Sequence, residues 1–148
     1  MEHIAQEVLE LNDFKQYEVS SWSKAGFESN HNVNYWQFGD FLGVGPGAHS
    51  KITLDDEISR FRKIKPLNGY IKKQTMTERT IIQGDELDID LAMNLLRIKN
   101  GISQDQINTL LPESFWSKYE AGVSEGLLLK NKVGATDRGY KYLNETIK

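Results

Sequence analysis

The chain contains no cysteine. That excludes disulfides, thiolate metal sites, a cysteine nucleophile and a cysteine-ligated iron–sulfur cluster built from these residues. Proline is scarce, with only Pro46, Pro66 and Pro112 among 148 residues, and no low-complexity tract or internal repeat is present. No apolar run approaches the ~20 residues that span a bilayer. The acidic N-terminus also lacks the basic-then-apolar layout of a signal peptide. A cytoplasmic location is therefore expected, with secretion as a processed fragment the alternative, and any membrane contact would be peripheral. Excess positive charge is lacking too: the net charge is −3, which argues against the whole chain acting as a polyanion binder.

What is present is a globular composition, 39% apolar and 26% charged, enough for one ordinary domain or a small domain plus part of another. Charge is unevenly spread. Residues 1–50 hold seven acids against Lys15 and Lys24, whereas residues 51–84 hold eight bases against four acids.

Ile4, Val8, Leu11 and Phe14 recur at helical spacing behind acidic first turns, which predicts a helix over 2–12. Residues 16–22 are rich in strand formers and predict one short strand. Helix, tight join and strand together suggest the second half of a βαβ unit whose other strands are absent from this sequence. Residues 31–36 read as a loop or one helical turn, and Phe38 to Gly45 as a second short strand entering a glycine-rich bend. Lys51–Leu54 and Ile58–Lys63 predict a hairpin around Asp55-Asp-Glu57. Pro66 to Lys73 predicts a short helix, and Gln74 to Gln83 an extended segment or linker. From Asp85 the pattern becomes helical. Leu87, Leu91, Leu95 and Ile98 form a stripe that Asn100-Gly101 ends. Ser103 caps a second helix and 114–126 predict a third, carrying Phe115 and Tyr119. A two-strand wing follows around Lys130-Asn131-Lys132, then a last helix capped by Thr136. That order resembles a winged helix.

Ligand-capable groups concentrate in His31-Asn-Val-Asn-Tyr-Trp36 and Phe41-Leu-Gly-Val-Gly-Pro-Gly-Ala-His-Ser50. His31 is able to ligate a metal, haem iron included, or to exchange protons near neutral pH. Tyr35 and Trp36 would offer a flat apolar wall beside a planar ligand. The competing reading is a His-Asn turn and a Tyr-Trp core pair, and spacing leaves the two open. Gly43-x-Gly45-x-Gly47 lets backbone approach a ligand, but Pro46 removes a donor and it is neither a dinucleotide fingerprint nor a Walker loop. Glu18 and Asp40 are candidates for an acidic pair. The basic stretch Arg60 to Lys73 reads as a solvated face. In the candidate recognition helix Glu113, Glu120 and Glu125 face Lys118 alone, so no nucleic-acid partner is expected.

The run Gln16-Tyr-Glu-Val-Ser-Ser-Trp-Ser-Lys24, Gly26-Phe27, His31-Asn-Val-Asn-Tyr-Trp36, Gly39-Asp-Phe-Leu-Gly-Val-Gly45 and Gly47-Ala-His-Ser50 closely resembles the HemW branch of the HemN-like radical SAM proteins. These are haem chaperones, often described as oxygen-independent coproporphyrinogen III oxidases. The resemblance implies an α/β (α+β) fold: the last helix and strands of a partial radical SAM barrel, then a small helical, winged-helix-like HemN C-terminal domain. The expected boundaries are 1–64 for the barrel end, 65–84 for a linker and 85–148 for the helical domain. It implies haem binding at His31, Asn32, Tyr35 and Trp36, with His31 as axial ligand to haem iron. It also implies a weaker S-adenosylmethionine contact at Gly47, Ala48 and His49, and haem-accepting proteins as partners. Such proteins hold a 4Fe–4S cluster on three cysteines. Its ligands are absent here, and Ser29 stands where many relatives carry cysteine. The chain is thus expected to be a C-terminal portion, without radical chemistry of its own. The alternatives are part of a coproporphyrinogen III oxidase and a non-catalytic winged-helix-like protein-binding module.

Overall fold

The computed structural model describes residues 2–72 and 78–147, with side chains from residue 4 onward. It is a mixed α+β structure with two small antiparallel sheets and several helices. Helix α1 (Glu2–Leu11) forms where its spacing predicts. Its apolar positions Ile4, Val8 and Leu11 stay exposed. The Asn12 amide donates to the Val8 carbonyl at 2.8 Å, and Asp13, at φ 65°, turns the chain out of the helix.

The single strand expected over 16–22 is two strands, β1 (Lys15–Glu18) and β2 (Ser21–Ser23), paired with each other antiparallel. The cause is a polar turn: the Glu18 carboxylate accepts from the Ser20 N–H at 3.1 Å and the Ser20 hydroxyl at 2.9 Å. Strand propensity does not register that turn. The βαβ expectation is corrected accordingly, since the neighbour of β1 is the next strand in sequence. Glu18 is buried, bridges Ile98, and so ties the hairpin to the end of the following helical region.

Residues 31–36 lie in α2 (Asn30–Trp36), a full helix rather than a single turn. The strand expected over 38–45 is reduced to one bridge between Phe41 and Lys51. Gly43 is the reason. Its N–H donates to the Ser50 hydroxyl at 3.0 Å, and its backbone leaves no room for a β-carbon against the His49 carbonyl, so the ladder beside β3 does not extend past Phe41.

The predicted hairpin forms from β3 (His49–Leu54) and β4 (Glu57–Arg62). Asp55 and Asp56 close it with φ 48° and 65°, a left-handed pair that Asp tolerates better than most residues. Helix α3 (Leu67–Ile71) follows Pro66. Residues 78–82 are indeed extended and form β5 (Glu78–Ile82), giving the order β3-β4-β5. Lys73 and the segment 74–77 fall outside the described residues.

Helix α4 (Gly84–Leu95) presents Leu91 and Leu95 to the core. The second predicted helix is a single 3-10 turn, Gln104–Gln106, held by a reciprocal Ser103–Gln106 cap. Helix α5 (Glu113–Ser124) carries Phe115 and Tyr119 inward. In place of a two-strand wing there are only two bridges, Leu128 to Ala135 and Ile102 to Val133. The Tyr119 hydroxyl accepts the Gly134 N–H at 2.9 Å and lies within 3.0 Å of the Leu129, Lys132 and Gly134 carbonyls, taking groups that a longer ladder would use. The last helix breaks at Tyr142 into α6 (Asp137–Lys141) and α7 (Leu143–Thr146).

Apart from Phe38, Ile58 and Ile82, the buried apolar side chains come from residues 91–143. The core therefore sits in the helical part. The three-stranded sheet is joined to it by a two-pronged ion pair, Arg60 to Asp90 on α4, at 2.6–3.0 Å.

Candidate functional site

The segment 29–50 is built around the two ends of α2. At the start, the Ser29 hydroxyl accepts the Asn32 N–H, the expected use of serine at a helix N-cap. At the end, Phe38 N–H donates to the Tyr35 carbonyl at 3.2 Å and Gly39 N–H to the Asn34 carbonyl at 2.8 Å. This is a Schellman closure, whose left-handed position glycine usually fills. Here Phe38 fills it, at φ 61°. A bulky residue in that conformation costs about 1–2 kcal/mol. Burial offsets it, because the ring is 1% exposed and lies beneath the Lys51 ammonium, 4.4 Å from the ring centre. Gly39 has no room for a β-carbon against Asn34.

Most polar residues here have structural work. The Asn32 amide donates to the Tyr17 hydroxyl at 3.4 Å and the Ser21 hydroxyl at 3.3 Å, fastening α2 to the β1–β2 hairpin. The Asn34 amide donates to the Asp40 carbonyl at 3.0 Å. The Asp40 carboxylate takes the Lys51 ammonium at 2.8 Å and both the N–H and hydroxyl of Thr53 at 2.9 Å, which pins the chain after α2 onto β3. Burial works against that charge, yet the hydrogen bonds from Lys51 and Thr53 hold the Asp40 carboxyl below the usual range. Asp40 and Glu18 thus serve separate partners and do not form the acidic pair considered from the sequence.

The four candidate haem residues divide between two faces of α2. His31 and Tyr35 are four apart and share one, while Asn32 and Trp36 share another. His31 is exposed, and among the described residues its imidazole makes no hydrogen bond or ion pair. Tyr35 is half-buried, edge-on to Trp36 at 4.9 Å and 5.0 Å from the Phe41 ring. It also faces Arg60. Burial opposes the Arg60 charge, but Asp90 and then Tyr35 raise its pKa above the usual guanidinium value. Trp36 lines a small cleft of about 180 Å³ with Tyr17, Val33, Ile98 and Ile102. The Arg97 guanidinium lies 5.4 Å from its ring centre. Trp36 therefore docks α2 on the helical part, and Asn108 N–H to the Gln37 carbonyl at 3.0 Å reinforces that junction.

Residues 47–49 offer less than their glycine pattern suggests. Gly47 N–H donates to the Ile64 carbonyl at 2.8 Å and Ala48 N–H to the Gly45 carbonyl at 3.3 Å, so neither is a spare donor. His49 is exposed at the start of β3, beside Arg60, Arg62 and Glu78. Part of the basic stretch is engaged, Arg60 with Asp90, Arg62 with Glu78, and the Lys63 ammonium with the Gly43 carbonyl at 2.9 Å, while Lys65 and Lys72 are solvent-exposed as expected. Sequence reasoning missed Tyr17, Ser21, Arg60 and Arg97 as supports of α2. Tyr17 and Ser21, inside the run that carries the family resemblance, and Arg60, inside a basic run, carried a signal; Arg97 carried none.

Among the described residues no group of three or more His, Asp or Glu side chains is placed to hold a metal ion, and no helix is long and apolar enough to cross a membrane. With no cysteine in the chain, the residues present do not fit a 4Fe–4S cluster.

No protein-family model matches the chain, and no solved structure matches it. Several characterised proteins do. A protein of Haemophilus influenzae called heme chaperone HemW is 29% identical over 147 residues, covering 95% of this chain and 38% of its own length. One of the same name from Buchnera aphidicola subsp. Acyrthosiphon pisum is 32% identical over 146 residues, covering 95% and 39%. The mitochondrial radical S-adenosyl methionine domain-containing protein 1 of Mus musculus is 31% identical over 140 residues, covering 82% and 31%. The chain spans about two fifths of the length of the first of these relatives.

Proposed function

We propose, for a chain that is a relative of the HemW proteins over nearly all of its length, that α2 is a haem contact with His31 as the iron ligand. Haem is here the cargo, bound and passed on. The observation that carries this reading is the division of labour in the segment 29–40. Asn32, Asn34, Gly39 and Asp40 are each consumed by a cap, a turn or a strand contact, whereas His31 is exposed and structurally idle. A neutral imidazole supplies a lone pair to iron near physiological pH.

The rest of the segment positions that imidazole. The Ser29 cap and the Asn32 bonds fix the first turn of α2, and the Phe38–Gly39 closure fixes its end. Tyr35, one turn after His31 and backed by Phe41 and Trp36, supplies an aromatic surface beside it. Within nine residues of it in sequence, Phe27, Leu42 and Val44 are exposed apolar side chains, the kind of surface a porphyrin covers. Trp36 and Asn32 act on this reading as positioning residues. A cytoplasmic setting and transfer to haem-accepting proteins complete the proposal. The test is a titration of haem into the whole chain, followed by absorbance. His31→Ala should weaken binding at least tenfold with helix content unchanged, whereas His49→Ala should not. Equal affinity in the parent and His31→Ala refutes the assignment.

A further inference from the structure

The segment before β3 and the segment after β4 leave the open end of that hairpin together, where His49 pairs with Arg62. Lys63 N–H donates to the Ala48 carbonyl at 2.9 Å, Gly47 N–H to the Ile64 carbonyl at 2.8 Å, and the Lys63 ammonium to the Gly43 carbonyl at 2.9 Å. Gly47 also lies against Lys65, whose Cγ is 3.3 Å from the position a β-carbon would take. The two segments therefore form one continuous surface. The first carries Leu42 and Val44, 76% and 86% exposed. The second runs into α3, whose Leu67 and Ile71 are 58% and 65% exposed. Four residues apart, they share one helix face.

The charge of this surface is unbalanced. No acidic residue occurs between Asp40 and Asp55 or between Glu57 and Glu78. Of the cations in those stretches, Lys51, Arg60 and Arg62 are paired with Asp40, Asp90 and Glu78. The Lys63 ammonium has a neutral carbonyl as its partner, and Lys65 and Lys72 are exposed and belong to no ion pair among the described residues. Uncompensated positive charge thus accompanies the apolar side chains, in a chain whose net charge is −3. Screening acts over about 8 Å at physiological salt, so an anionic surface facing this patch meets its lysines before the acids elsewhere in the chain.

The backbone favours lipid over a soluble acidic partner. The N–H groups of Gly43, Gly47 and Ala48 are all bonded within the protein. An apolar interface demands such satisfaction, whereas a protein partner would find no donor at these positions to pair with.

We propose that this surface docks on bilayers with anionic headgroups. Leu42, Val44, Leu67 and Ile71 enter the headgroup region, and Lys63, Lys65 and Lys72 face the lipid charges. Leu42 and Val44 also belong to the haem reading, but the docking depends neither on His31 nor on iron.

The test is co-sedimentation of the full, haem-free chain with vesicles at physiological salt. One set is phosphatidylcholine alone, and the other is equal parts phosphatidylcholine and phosphatidylglycerol. Binding to the mixed vesicles should be at least tenfold tighter. Lys65→Gln with Lys72→Gln should weaken it about 25-fold, at about fivefold per lysine near the surface. Lys130→Gln with Lys132→Gln, the same charge change at exposed positions of the helical part, should leave it unchanged. Leu42→Ser with Val44→Ser, both at largely exposed side chains, should weaken it at least tenfold. His31→Ala should bind vesicles as the parent does, so failure of the haem assignment is read separately. Absence of binding to the mixed vesicles, or equal binding to both sets, overturns the proposal. So does undiminished binding in the serine variant, or an equal loss in the two lysine variants. Polyglutamate bound as tightly as the mixed vesicles, with the same loss in the serine variant, overturns it in favour of a protein partner.

Discussion

Replacing Asp40 with Asn tests how the α2 segment is held. The Lys51 side chain is 2% exposed, and its ammonium has Asp40, Thr53 and the Phe38 ring as neighbours. Removing one member of a buried ion pair costs about 3–5 kcal/mol, because the other charge is left stranded. Asp40 itself is 44% exposed, which lets water reach the pair and lowers that figure. Asn also retains an acceptor for the Thr53 N–H. About 2 kcal/mol is therefore expected for Asp40→Asn. In a chain of this size that corresponds to a fall in Tm of about 4–8 °C. Urea unfolding followed by circular dichroism and tryptophan fluorescence reads both. Lys51→Met removes the stranded charge, so adding Asp40→Asn in that background should cost no more than about 0.5 kcal/mol. The pH dependence has a definite sign. The folded carboxyl titrates below its unfolded value of about 3.9, so its stabilisation is fully present above that pH. It is lost as pH falls through the lower folded value. Asp40→Asn should flatten that part of the acid limb. A loss below about 0.5 kcal/mol, or an equal loss with and without Lys51, would refute the reasoning.

Tyr119→Phe strands the Gly134 N–H inside the helical part, so a loss of about 1–3 kcal/mol is expected by chemical denaturation. Gly43→Ala drives a β-carbon into the His49 carbonyl; about 2–3 kcal/mol of destabilisation and loss of amide exchange protection at Lys51 should follow. Burial raises the hydroxyl pKa of Tyr119 and Tyr140, and Glu18 pushes Tyr140 further. Their contribution is complete below the unfolded value of about 10 and declines as pH rises toward the raised folded values. Tyr140→Phe should flatten the alkaline fall of Tm, and an unchanged slope would contradict this assignment.

The sequence made the long periodic elements legible. Helix α1, helix α4, helix α5 and the β3–β4 hairpin lie where spacing placed them, because each buries or displays a stripe longer than two turns or a matched pair of strands. What failed were segments whose shape depends on side-chain-to-backbone bonds. Glu18 and Ser20 fold one predicted strand into two. The Tyr119 hydroxyl replaces a predicted wing by single bridges. Phe38 occupies a helix-ending position that rewards glycine, so the pattern gave no helix boundary there. At the site, sequence identified the segment but not its partition. Tyr35 and Trp36 look equivalent as neighbouring aromatics, yet one flanks the His31 face and the other docks α2 to Ile98 and Ile102. Helical phase over the whole of α2 separates them, and a loop or one helical turn, as the sequence reads, does not set that phase.

The central claim concerns one bond, from the His31 imidazole to iron, and paramagnetic resonance reads it most directly. The haem-loaded chain, prepared with nitrogen-15 only in histidine, should show hyperfine coupling from one labelled axial nitrogen. That coupling should be retained in His49→Ala and absent in His31→Ala. A labelled-nitrogen coupling that survives in His31→Ala, or none in the parent chain with haem bound, contradicts the account.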